Sequence, residues 1–423
     1  MKKKFASLLL ALAMTLSLAA CGGGSTGGTT DGGANAGTEE AENAENAGAE
    51  DAGEAGTEAG GETAALPGGG NGTFQLGSIG PKTGDAAIYG TAVVNGARLA
   101  CEEIAASDSA VKFEYQDQDD EADGEKSVNA YNALMDWGMQ VLVGPTTTGA
   151  SIAVAAKAAE DRTIMLTPSA SSTDVTAVGD NIFQVCFTDP NQGVASADYM
   201  AENLPDAVVA VIYRNDDAYS QGIRDAFVKE AEAKGLNVAY EGTFTKDTAT
   251  DFTVQLTAAQ SAGATMIFLP IYYEPAAVIF NQARAMGYAP TFFGVDGMDG
   301  ILTLEGFDTS LAEGVMLLTP FSADAEDERT QRFVAAYEEM FGIIPNQFAA
   351  DAYDGVYIMR EALEEAGCTA DMSNAEICDA VVNALQQISY DGLTGEGLTW
   401  DASGAVSKDP MAFVIQDGVY ARP

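Results

Sequence analysis

The segment Val141-Leu142-Val143-Gly144-Pro145-Thr146-Thr147-Thr148-Gly149-Ala150-Ser151 passes from three aliphatic residues through a Gly-Pro turn into hydroxyl-bearing residues, where a helical pattern begins. A short apolar run closed by turn residues reads as a buried strand, and Thr and Ser are residues that start helices. Strand, polar turn and helix in this order make one step of a βα series with a parallel sheet.

Working outward, the same alternation recurs. Strands are expected at 74–79, 111–115, 141–143, 163–166 and 182–186, with helices at 88–106, 126–137 and 150–160 between them. A second series follows: helices at 193–203, 220–234, 252–262 and 275–286, with strands at 208–213, 237–240, 265–269 and 291–294. After a strand-like run at 315–319 the pattern turns helical at 326–341, 349–366 and 374–388, then closes on strand-like runs at 397–400 and 412–416. Two successive series over about 350 residues predict an α/β protein with two Rossmann-like lobes. A helical stretch after the second sheet returns most economically to the first, so three crossings are expected, near 188–189, 319–321 and 393–397. The expected division is 73–189 with 320–392 as one lobe, and 190–319 with 393–423 as the other.

The N-terminus has a different character. Lys2-Lys3-Lys4 precedes an apolar run of about fourteen residues, shorter than the roughly 20 that span a bilayer core. It ends in Leu18-Ala19-Ala20-Cys21-Gly22. Residues 1–20 therefore read as a signal peptide, and Leu-Ala-Ala-Cys resembles the bacterial lipobox. That resemblance implies acylation of Cys21 and an exported chain, lipid-anchored on the outer face of the membrane. Residues 21–72 read as a disordered stalk: beyond Cys21 they carry ten acids, no base, and Leu66 as the single bulky apolar residue.

Composition removes whole classes of function. The chain has 63 acids against 20 bases; without the stalk and the signal lysines, 53 acids face 17 bases. Such a surface cannot neutralise phosphates, so no nucleic acid is expected as a partner. There is no histidine, which removes the commonest general base, the usual zinc ligand and every Ser-His or Cys-His nucleophile. No catalytic residue, metal or cofactor is expected, and Asp117, Asp119 and Asp120 read as a solvated strand end. Cys101 and Cys186 lie in apolar patterns and read as buried thiols. Cys368 and Cys378 flank a polar loop and read equally as a local disulfide or as free thiols.

The stretch Gly144 to Ser151 nearly matches the phosphate-binding GxxxxGK[ST] loop, but Ala150 stands where the lysine must be, so nucleotide hydrolysis is not expected. What remains is a helix N-terminus at the carboxyl end of a parallel strand, which suits a small anion such as a carboxylate. Thr167-Pro168-Ser169-Ala170-Ser171-Ser172 repeats the arrangement. In the second series, strand ends carry Tyr213-Arg214-Asn215-Asp216-Asp217-Ala218-Tyr219, Leu269-Pro270-Ile271-Tyr272-Tyr273-Glu274 and Gly294-Val295-Asp296-Gly297. Each alone also reads as a cap or turn; Asp296 reads equally as an Asx turn or as a partner for an ammonium.

The series Gly80-Pro81-Lys82-Thr83-Gly84, Tyr89-Gly90, Asn95-Gly96-Ala97, Val143-Gly144-Pro145, Thr167-Pro168-Ser169-Ala170 and Gly294-Val295-Asp296-Gly297 resembles the leucine-, isoleucine- and valine-binding proteins of ABC importers, over residues 73–423. The resemblance implies a type I periplasmic-binding-protein fold that closes on an amino acid, branched-chain or related, and delivers it to the transmembrane subunits of a permease. It implies carboxylate contacts from Thr148, Ser169, Ala170 and Ser171, an ammonium contact from Asp296 with Tyr272 beside it, and Tyr89 and Tyr219 lining the cleft. Asp replaces the Glu of close relatives at 296, moving the ammonium site by about one methylene. A monomer is expected. The alternatives are a ligand-sensing lipoprotein of the same fold, or a binder of amides, urea or aromatic acids.

Overall fold

The computed structural model describes residues 69–423; the signal peptide, Cys21 and the stalk as far as residue 68 lie outside the described residues. In the first lobe, β1 (Gly72–Ile79), α1 (Ala87–Ala106), β2 (Val111–Gln118), α2 (Gly124–Trp137), β3 (Val141–Val143), α3 (Thr148–Glu160), β4 (Ile164–Thr167), α4 (Thr173–Thr176) and β5 (Ile182–Gln184) build a parallel sheet in the order β2-β1-β3-β4-β5. The central strands β3 and β4 are near-continuous apolar runs because both faces are covered, as parallel crossovers require, whereas the edge strand β2 is mixed. Leu76, Val141, Leu142, Val143, Ile164, Met165 and Leu166 are all fully buried.

The second lobe starts with α5 (Asp189–Asn203) and continues through β6 (Val208–Arg214), α6 (Ala218–Lys234), β7 (Asn237–Phe244), α7 (Thr253–Ser261), β8 (Met266–Leu269), α8 (Tyr273–Ala285), β9 (Thr291–Gly294) and β10 (Met316–Leu318). The chain then returns to the first lobe with α9 (Glu328–Phe341), α10 (Gln347–Glu365) and α11 (Asn374–Leu385), and ends in β11 (Ala412–Gln416) and β12 (Val419–Ala421). The second sheet has the order β12-β11-β10-β9-β8-β6-β7, with β11 and β12 antiparallel to their neighbours. The chain thus passes between sheets three times: between Gln184 and Asp189, between Leu318 and Glu328, and between Leu385 and Ala412.

Local chemistry fixes the helix ends. Asp123 accepts from the N–H groups of Glu125 and Lys126 to start α2, Thr188 caps α5 with a proline in its first turn, and Ser373 with Glu376 forms a capping box on α11. Helix α10 lies along α1. A Cβ at Gly96 would sit 2.1 Å from the Ala349 carbonyl oxygen, so only glycine lets the two helices approach this closely.

Several expectations are corrected. Residues 397–400 form no strand; isolated bridges join Tyr390 to Leu398 and Trp400 to Val406. Asp117 and Asp120 are not a solvated strand end. Asp117 pairs with Lys82 at 2.5 Å and Arg98 at 2.6 Å, and Asp120 is fully buried, accepting from Ser127 Oγ at 2.8 Å. Both acids tie the β2 terminus to neighbouring elements. Cys368 and Cys378 are free and buried, as are Cys101 and Cys186: Cys378 faces the core from within α11 rather than flanking an exposed loop.

Candidate functional site

In an open α/β sheet, ligands collect at the carboxyl ends of strands where the strand order reverses. In the first sheet that reversal lies between β1 and β3, and in the second between β6 and β8. The loops after β3 and β4 face those after β6, β8 and β9 across a cleft. They border a narrow cavity of about 10 Å³, open in part to solvent.

Tyr89, Thr148, Ser169, Tyr219, Tyr272 and Asp296 all line this cavity, although more than 200 residues separate the first from the last. Thr146, Thr147, Gly297 and Phe348 complete its wall. Ala170 and Ser171 do not line it. The Ala170 N–H donates to Thr167 Oγ1 at 3.0 Å, and the Ser171 hydroxyl oxygen accepts from Gln192 Nε2 at 3.5 Å. Local turn closure and the inter-lobe connection thus take up both residues.

Asp296 is 3 % exposed and opens a 3-10 turn, Asp296–Met298, after β9. Its Oδ1 accepts from the Tyr219 hydroxyl at 2.5 Å and from the Gly297 N–H at 2.7 Å, while Gln192 Oε1 takes its backbone N–H at 3.1 Å. Burial pushes the carboxyl up to about 6 against the downward pull of these hydrogen bonds. Burial likewise raises the phenols of Tyr89, Tyr219 and Tyr272 well above their ordinary value, so all three stay neutral donors.

The opposite wall is built of backbone and hydroxyls. Thr167 Oγ1 and Ser151 Oγ both donate to the Pro145 carbonyl, at 2.7 and 3.0 Å, and Ser169 Oγ donates to the Thr146 carbonyl at 2.6 Å. These bonds hold the turn after β3 against the turn after β4. They also present the first turn of α3 to the cavity, and Thr147 gives that turn no side-chain cap. Unsatisfied N–H groups and the positive end of the helix dipole favour an anion there. Aromatic rings close the remaining side: Tyr89 packs edge-on to Tyr272 at 5.2 Å and tilted to Phe348 at 4.4 Å, with Tyr219 5.1 Å from Tyr272.

Sequence reasoning singled out the loop containing Thr146 and Thr147 but named only Thr148 from it. Phe348 carried no signal, because it enters from α10 after the second crossing.

An acid and an uncapped helix N-terminus facing each other between two parallel sheets define a solute-binding protein of the type I periplasmic-binding fold. The chain belongs to the periplasmic binding protein family, whose model matches residues 73–418. It is 28% identical over 314 residues to the Leu/Ile/Val-binding protein BraC3 of Rhizobium johnstonii, covering 74% of this chain and 83% of that one. It is 26% identical over 336 residues to a leucine-, isoleucine-, valine-, threonine- and alanine-binding protein of Pseudomonas aeruginosa, covering 78% and 87%. Among solved structures it resembles a branched-chain amino acid transporter substrate-binding protein of Streptococcus pneumoniae in complex with isoleucine, with a TM-score of 0.73, 27% identity, and 83% and 100% of the two chains covered. The family consists of solute-binding proteins rather than enzymes.

Proposed function

We propose that the chain binds a free amino acid between its lobes and delivers it to the transmembrane subunits of an ABC permease. One observation carries the ligand class: the cavity holds one buried carboxylate, Asp296, and no lysine or arginine among its lining residues. A buried unpaired carboxylate is costly, and an ammonium on the ligand would remove that cost. The uncapped start of α3, with Thr148, would take the carboxylate of the same molecule, while Ser169 holds the loop in place through the Thr146 carbonyl. Aromatic acids would suit the four rings, but they carry no cation to meet Asp296.

Lobe 1 (73–189 and 320–392) and lobe 2 (190–319 and 393–423) would close about the three connections. Closure would exclude water and strengthen the charged contacts. Acylation of Cys21 would hold the protein near its permease, raising the effective concentration of the docking step; Cys21→Ser is expected to release the protein from the membrane fraction. A thermal-shift screen against the L-amino acids tests the ligand class. A ligand at 100 times its Kd adds about 2.7 kcal/mol to stability, and a flat result across the panel would remove amino acids as the ligand.

A further inference from the structure

Thr147 is the N-cap residue of α3, yet its side chain makes no capping bond. Its Oγ1 is buried and has no hydrogen-bond partner among the described residues, and the residue is only 6 % exposed. Most buried hydroxyls are paired, and an N-cap threonine normally bonds the N–H of N2 or N3 of its own helix. This hydroxyl does neither.

Its position suggests a reason. Thr147 lines the inner cavity with Asp296 and Tyr219, and it also lines a larger outer chamber of about 770 Å³, open to solvent; Tyr272 is the other residue shared by both. Thr147 and Tyr272 therefore flank the passage from the inner cavity to the outer one. An amino acid whose ammonium met Asp296 and whose carboxylate met the first turn of α3 would send its side chain past this pair. The outer chamber has a mixed lining, with Arg214, Asp217 and Lys246 beside Ile271, Val278 and Phe307. Thr146, the neighbouring hydroxyl in the inner wall, is already committed to the Ile79 carbonyl at 3.3 Å. Among the described lining residues of the inner cavity, Thr147 carries the side-chain hydroxyl that is buried without a partner.

We infer that the ligand carries a hydrogen-bonding group, a hydroxyl or amide, on its side chain, and that Thr147 reads it. The inference rests on the amino-acid reading above and narrows it from aliphatic to polar side chains. A purely aliphatic side chain would leave Thr147 Oγ1 buried without a partner in the closed state, and a site of that kind discriminates against the ligand lacking the group.

Three pairs of ligands matched in shape test it: L-threonine against L-valine, L-asparagine against L-leucine, and L-glutamine against L-methionine. Each is titrated calorimetrically into the wild-type protein and into Thr147→Val, which keeps the shape and removes the hydroxyl. The expected result is that the polar member of at least one pair binds wild type about tenfold or more tighter, the scale set by one unpaired buried hydroxyl, and that Thr147→Val abolishes the preference. Tighter binding of the aliphatic member in every pair would overturn the inference while leaving the amino-acid reading intact. A polar preference unchanged in Thr147→Val would remove Thr147 as its reader. Binding of none of the six would overturn the amino-acid reading and this inference with it.

Discussion

The Tyr89 hydroxyl, carried by α1 of the first lobe, donates to the Gly297 carbonyl just after β9 of the second, and the Tyr273 N–H donates back to it at 3.2 Å. One buried phenol therefore joins the two lobes directly over the cavity. Tyr89→Phe keeps the ring packed against Tyr272 and Phe348 but removes both bonds. With each hydrogen bond contributing about 0.5–1.5 kcal/mol net, the two together make ligand affinity fall about five- to 150-fold. Most of the loss should appear as faster release, which stopped-flow fluorescence would measure; an unchanged release rate would show that this contact does not hold the closed state.

Two buried acids, Asp296 in the cleft and Asp354 on α10 outside it, give two pH dependences of opposite sense. Asp296 and Asp354 are pushed up to about 6 by burial, from an ordinary value of 3.8. Between about pH 4 and pH 6 the folded protein holds protons that the unfolded chain has lost, so the stability of the ligand-free protein should decline as pH rises through this window. Affinity for an ammonium-bearing ligand needs ionised Asp296, and should decline as pH falls below about 6. Melting temperatures and Kd values at pH 4.5 and 7.5 check both. Parallel trends would contradict the assignment of Asp296.

A buried ion pair stabilises the connection leading to β11. Lys408 Nζ lies 2.7 Å from Asp351 Oδ1 with both side chains 2 % exposed, and it also donates to Thr394 Oγ1 at 2.6 Å. Lys408→Met would leave Asp351 buried without its cation and should cost about 3–5 kcal/mol. The double variant Asp351→Leu/Lys408→Met should recover most of that loss. Denaturant unfolding of the three proteins measures the difference; a single variant as stable as wild type would show that the pair contributes nothing.

The two series of strands and helices were legible because the central parallel strands are short apolar runs ending in turn residues, as Val141–Val143 and Met266–Leu269 show. The site was legible in so far as it sits on those turns: Thr148, Ser169, Tyr219, Tyr272 and Asp296 each follow a strand end. What lay hidden depends on contacts between distant segments. Phe348 reaches the cavity only because α10 packs on α1, and Asp120 is buried only because Ser127 turns back to it. The Ala170 N–H looked free in sequence, but the Thr167 hydroxyl three residues earlier takes it. The bridges at 390–406 lie in a connection where no periodic pattern marks the backbone pairing.

Asp296 bears the central claim, that the cleft binds an amino acid through its ammonium. Isothermal titration calorimetry of the wild-type protein and of Asp296→Asn against the L-amino acids tests it most directly. The account predicts one-to-one binding of at least one amino acid to wild type and a loss of about 100-fold or more in Asp296→Asn, the scale of a buried charge pair broken on one side. Equal affinity in the variant, or no binding of any amino acid to wild type, would contradict it.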